Sequence, residues 1–161
     1  MDGPEIDATL REVMSSFPTG VTIVAACDAM GEPYGLTVNS FTSVSLDPPL
    51  VLVCIGQGSS SHDRLVAETN FSVNILAAVQ ADAALRFSRE PSEGRFEDVS
   101  WARGESGAPV IEGAVACLEC SRHEVLSGGD HSILLGRVDR AVSTDRPALL
   151  FHRGRMGLAS P

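Results

Sequence analysis

The residues best suited to hold a ligand lie between Gly35 and Pro49, in the stretch GLTVNSFTSVSLDPP. Thr37, Asn39, Ser40, Thr42, Ser43 and Ser45 give it hydroxyls and an amide, and between Val38 and Leu46 its only bulky apolar residues are Phe41 and Val44. Apolar runs flank it, VTIVAA before and PLVLVCI after. A polar strand between apolar strands must find partners for its polar groups, because burying them unpaired is costly. Two accounts are open. The stretch is a solvated edge whose hydroxyls bond across a sheet, or a planar polar ligand lies along it, matched by backbone amides and short side chains.

Three further groups carry usable chemistry. His131 follows Gly129 and Asp130 at a turn, where a side chain can face a cleft and an aspartate can orient the ring; aspartate in a glycine turn is also plain turn chemistry. His152, Arg153, Gly154 and Arg155 put two guanidinium forks beside a glycine, which suits phosphate or a solvated turn. Ser59, Ser60 and Ser61 precede a short helical pattern, where serine caps free backbone N–H groups and where the same N–H groups also bind phosphate. Arg64 is a helper there or a solvated helix residue. Cys117 and Cys120 form a C-x-x-C, but GAVACLEC alternates like a strand, so thiols three apart point to opposite faces. No metal site is expected. Walker, G-x-G-x-x-G, H-E-x-x-H and G-x-S-x-G patterns are absent, which removes support for a doubly wound dinucleotide fold.

The elements that must position these groups are mostly strands. Ile6, Leu10, Val13, Met14 and Phe17 recur at helical spacing, so residues 5 to 17 read as an amphipathic helix ended by Pro18. VTIVAAC, the turn DAMGEP and YGLTVN read as a hairpin, and LVLVCI as a central strand. A short helix begins near Ser61, FSVNILA is a strand, and QADAALRFS favours another short helix. Residues 89 to 100 read as an irregular, charged loop flanked by Phe87 and Phe96 as packing anchors. Two long strands, 114–126 and 131–143, join at Ser127 to Asp130, and a last strand covers 148–152. The fold class is therefore mainly β, a closed or partly open antiparallel barrel with few helices, in one domain over residues 1–161.

Composition narrows the partners. With 161 residues and 43% hydrophobic content the chain can bury a sizeable core. A formal net charge of −9 disfavours nucleic acid and anionic membrane, and slows anionic ligands unless local arginines draw them in. No apolar run has the length of a membrane span and MDGPEID lacks a signal pattern, so a cytoplasmic location is expected.

Flavin fits the ligand account, since its ring edge carries both donors and acceptors. The chain resembles the short flavin reductases that feed two-component monooxygenases, through FPTGV, GLTVNSFTSVSLDPPLVLVCI, FSVNIL, GAPVIEGAVACLEC and GDHSILLGRV, in that family's order. The resemblance implies a flavin-binding split β-barrel of Greek-key type, a homodimer, with FMN or FAD reduced by NADH or NADPH and handed to a partner monooxygenase. It implies ring contacts along Thr37, Val38, Asn39, Ser40, Phe41, Thr42, Ser43 and Ser45, and a flavin-phosphate cradle at Ser59 to Ser61. It also makes Phe87, Ser88 and Arg89 flavin neighbours and sets His131 beside the nicotinamide. Many relatives have tyrosine where His152 or Met156 stands, so this departure touches the nicotinamide side. The alternative is a flavin carrier or electron-transfer protein on the same barrel, without efficient NAD(P)H turnover.

Overall fold

The structure, a computed structural model, describes residues 3–89 and 92–158. Helix α1 (Gly3–Ser15) leads into a short strand β1 (Thr19–Gly20). The main strands are β2 (Thr22–Cys27), β3 (Pro33–Val38), β4 (Phe41–Leu46), β5 (Pro49–Gly56) and β6 (Asn70–Ile75), with helix α2 (His62–Ala67) between β5 and β6. Helix α3 (Ala81–Ser88) follows, then a small hairpin of β7 (Trp101–Arg103) and β8 (Pro109–Ile111). The long hairpin β9 (Ala116–Gly128) and β10 (His131–Ser143) and the short pair β11 (Leu149–His152) and β12 (Arg155–Leu158) complete the chain. The DAMGEP turn forms as expected: the Asp28 carboxylate accepts from the Met30 and Glu32 N–H groups at 2.9 and 3.0 Å.

Seven strands pair antiparallel in the order β3-β2-β6-β9-β10-β5-β4. This interleaved order puts β3 and β4 at opposite edges of one sheet. Yet only Asn39 and Ser40 separate them in the chain. Two residues span about 7 Å, so the sheet must curl right round until its edges meet. No ladder joins those edges. The result is a barrel split along the β3–β4 seam, and Asn39 and Ser40 sit at the closing point.

Burial follows the pleat. On β2, Val24 and Ala26 face the barrel interior with Leu36, Val53, Phe71, Val73 and Leu134. Ile23 and Ala25 face a second core with Leu76, Ala84, Phe87, Ile111 and Leu149. That second core seats α3 on the outside of the barrel. Gly136 on β10 leaves room for fully buried Phe71, since a Cβ there would stand 2.5 Å from the ring. Polar side chains tie the β7–β8 hairpin to β6: Asn74 accepts from the Ile111 N–H at 2.8 Å and donates to the Pro109 carbonyl at 3.3 Å.

Two features differ from the sequence reading. The polar stretch is not one strand: it is the end of β3, a two-residue link, and an edge strand β4 whose residues are largely exposed. The pattern of alternation is the same for one strand and for two edges, so only the curl of the sheet separates them. The strand over 148–152 is not the last, since Arg155 to Leu158 form a further strand that pairs back onto β11. Cys117 and Cys120 are buried and burial pushes both thiols up to about 12, and no metal cluster exists among the described residues.

Candidate active site

Two cavities open at the seam. The first, about 780 Å³, is walled by Thr37 and Asn39 at the end of β3, by Ala81, Leu85 and Ser88 of α3, and by Phe151, Gly154, Arg155 and Met156 of the β11–β12 hairpin. The second, about 720 Å³, lies between α1 and β4: Arg11, Met14 and Phe17 face Ser40, Phe41 and Thr42. Asn39 and Phe151 belong to both. Both volumes suit a drug-sized ligand, for which about 300–1,000 Å³ is usual. A third cavity, about 650 Å³, adjoins the first at Leu85 and is polar, with Arg86, Arg89 and Glu93 in its wall.

Many hydroxyls of the stretch are already committed. Thr37 donates to the Ala84 carbonyl at 2.7 Å, which fixes α3 against the seam. Ser40 donates to the Cys54 carbonyl at 2.8 Å, and Ser45 accepts from the Asp47 N–H at 3.2 Å. Thr42 reaches the Ser43 carbonyl at 3.3 Å, and the Ser43 side chain is exposed. Val38 turns into the barrel core. The Asn39 amide is different. Its side chain bonds to no group among the described residues, and it lines both cavities where they meet. An amide offers both donors and an acceptor, the set that a flavin edge needs.

The serine run behaves otherwise than a plain cap. Helix α2 starts at His62, and Ser61 stands at its cap position without a side-chain cap bond. Its hydroxyl is buried and without a partner among the described residues, and Ser59 accepts from the Ser61 N–H at 3.3 Å. Ser60 is exposed. His62 is buried, with Nδ1 2.7 Å from Asp63 and Nε2 2.8 Å from the Ser132 hydroxyl, so it anchors α2 to β10.

His131 sits at the start of β10, opposite Gly56. Its Nδ1 lies 2.7 Å from Asp130 Oδ1. That contact, followed by the ring's charge, holds the Asp130 carboxyl below its ordinary value. His131 does not line either seam cavity. Its cross-strand partner Gly56 stands two residues along β5 from Cys54, whose N–H donates to the Ser40 carbonyl at 3.2 Å. That is about 7 Å of strand, within the length of one nucleotide ligand.

The C-terminal turn contains Arg153 at φ 49 and Gly154 at φ 74, a two-residue connection with both positions left-handed. It points Arg155 into the first cavity, while His152 and Arg153 are exposed beside it. Ser88 lines the first cavity and Arg89 the third. Phe87 is fully buried, 4.7 Å edge-on from Phe96, and touches neither seam cavity. Its expected role as packing anchor holds, and it reaches a ligand in either seam cavity only through the residues that line them. Sequence reasoning also passed over Arg11, Leu85 and Phe151, which belong to the walls.

A family model described as flavin reductase like domain matches residues 14–159. The chain belongs to that family. An NADH-dependent FAD reductase of Streptomyces globisporus is 48% identical over 163 residues, covering 98% of this chain and 88% of that protein. The reductase component of a flavin-dependent trigonelline monooxygenase from Acinetobacter baylyi is 42% identical, covering 96% of this chain but 49% of that protein. The chain spans 63% and 46% of two other curated relatives. Among solved structures, the Streptomyces globisporus NADH:FAD oxidoreductase SgcE6, in complex with NAD and FAD fragments, superposes with a TM-score of 0.92 at 46% identity, covering 100% of this chain and 97% of that one. The split β-barrel read from the strand order is thus the fold of this flavin reductase family member.

Proposed function

We propose that the chain is an NAD(P)H-dependent flavin reductase that takes FMN or FAD and passes the reduced flavin to a partner monooxygenase. The observation that carries this is the pair of cavities meeting at Asn39 and Phe151, in a chain whose relatives include NADH-dependent FAD reductases and monooxygenase reductase components. Flavin, when bound, supplies the ring nitrogen that accepts a hydride from the nicotinamide. The chain's residues bind and orient. The Asn39 amide and the backbone around Ser40, Phe41 and Thr42 meet the ring edge, and Phe151 packs beside it. Ser59 to Ser61 receive the flavin phosphate, which gives the buried Ser61 hydroxyl a partner. Arg153 and Arg155 meet phosphate or ribose of the dinucleotide, and Arg89 offsets a pyrophosphate when the flavin is FAD. His131 positions the nicotinamide, with Asp130 fixing its ring. No covalent attachment is needed, so flavin exchanges as a substrate.

A second copy of the chain completes this reading. The apolar face of α1 and the residue just beyond it are bare: Leu10, Val13 and Met14 of the helix and Phe17 after it are each more than half exposed. So large an unpartnered patch beside the second cavity marks an interface. Sedimentation at micromolar concentration should report two chains, and a single-chain mass would contradict the pairing. A cytoplasmic location suits the four unpaired cysteines; no helix among the described residues is long and apolar enough to cross a membrane.

The test is steady-state loss of NADH or NADPH with added FMN or FAD. Turnover is expected, and none with any pairing would contradict the enzyme and favour a flavin carrier. In the same assay His131→Ala should raise the KM for the nicotinamide about tenfold and leave that for flavin nearly unchanged. The opposite split would contradict the assignment of His131.

A further inference from the structure

We propose that Arg11 of α1 is a phosphate-binding residue of this site, acting across the second cavity. The inference rests on the flavin reductase reading above. Arg11, Met14 and Ser15 fall at i, i+3 and i+4, so they share one helix face, and all three line the second cavity. The opposite wall carries Ser40 and Thr42, so the guanidinium faces hydroxyls and not a carboxylate. Arg64, Arg86 and Arg140, by contrast, pair with acids. Arg11 has no ion pair among the described residues.

Position matters as much as freedom. The N–H of Arg153 donates to the Ser15 carbonyl at 2.9 Å, which pins the end of α1, one turn beyond Arg11, to the β11–β12 hairpin. The positive charge of Arg11 also reaches Asp130, as the smallest of the influences on that carboxyl after the His131 hydrogen bond and charge. The guanidinium thus lines the second cavity and bears only weakly, through its charge, on the Asp130–His131 turn. In a chain of net charge −9 an unpaired cation at this spot is a local attractor for anions. A guanidinium fork matches phosphate oxygens two at a time. Flavin nucleotides and nicotinamide dinucleotides both bring phosphate here, and riboflavin brings none.

That difference supplies the test. Full-length wild type and Arg11→Gln are titrated at equilibrium with FMN, riboflavin and NADH, using quenching of flavin and reduced-nicotinamide fluorescence. Glutamine keeps helix propensity close to that of arginine, and circular dichroism checks the fold. Loss of a charge-assisted bond should raise a Kd about tenfold. A rise for FMN with riboflavin unchanged assigns Arg11 to the flavin phosphate. A rise for NADH with both flavins unchanged assigns it to the dinucleotide diphosphate. Arg11→Lys should recover part of the loss in either case. Equal weakening of FMN and riboflavin, or no change for any ligand, overturns the inference. Wild type that turns over no NADH with any flavin sinks the functional reading instead, whereas normal turnover with unaltered Arg11→Gln titrations sinks only this one.

Discussion

Gly35→Ala is expected to destabilise the protein by about 3 kcal/mol, at the upper end of the usual cost of overpacking. Gly35 faces Ala25 across the β2–β3 ladder. A Cβ there would lie 2.5 Å from the Val24 carbonyl oxygen and 3.1 Å from the Ala25 Cα and Cβ. Nearly all of that is backbone, so no rotamer change relieves it; β3 must move. The Gly35 carbonyl also accepts from Arg95 Nη1 at 2.7 Å, and Arg95 is buried and further bonded to the Arg89 carbonyl. A displaced β3 therefore loosens the segment that follows α3. It also shifts Thr37 and Asn39, which continue the same strand to the seam. For a chain of this size the loss corresponds to a drop in Tm of roughly 6–12 °C. Urea unfolding followed by circular dichroism measures it, and an unchanged midpoint would contradict the tight approach of β3 to β2.

Asn39→Leu is expected to act on function and to spare stability. The side chain is exposed and bonds to no group among the described residues, so its removal leaves no buried partner behind. Leucine of similar size would set an apolar tip where both cavities meet. A ring edge that had bonded the amide would be left unpaired, which costs about 2 kcal/mol, or roughly thirtyfold in kcat/KM for flavin. The Tm should stay within about 2 °C of wild type. Full activity in this variant would place the ring elsewhere; a large drop in Tm would make Asn39 a structural residue.

How much of this was legible in the sequence differs from element to element. The DAMGEP hairpin, the long β9–β10 pair and helix α1 declare themselves through turn residues and periodicity, which are local signals. The seam does not. Whether GLTVNSFTSVSL is one strand or two edges depends on how far a sheet curls, and that is settled by pairings such as β2 with β6 and β10 with β5, distant in the chain. β7, β8 and β12 are three or four residues long, too short for alternation to show. Phe87 was expected beside a ligand on resemblance, while its own chemistry, an aromatic at the end of an amphipathic helix, pointed correctly to the core. Arg11 stood in plain view as a charged residue between Leu10 and Met14. Nothing local distinguishes a cation that faces a cavity from one that faces solvent.

Co-crystallisation with excess FMN and with excess FAD tests the central claim most directly, because it asks where the ring lies before any turnover. The tricycle should occupy the β3–β4 seam, with its polar edge within hydrogen-bond distance of Asn39 and Phe151 beside it. A seam left empty, or closed by the protein's own side chains, with flavin bound at some other surface, would contradict it.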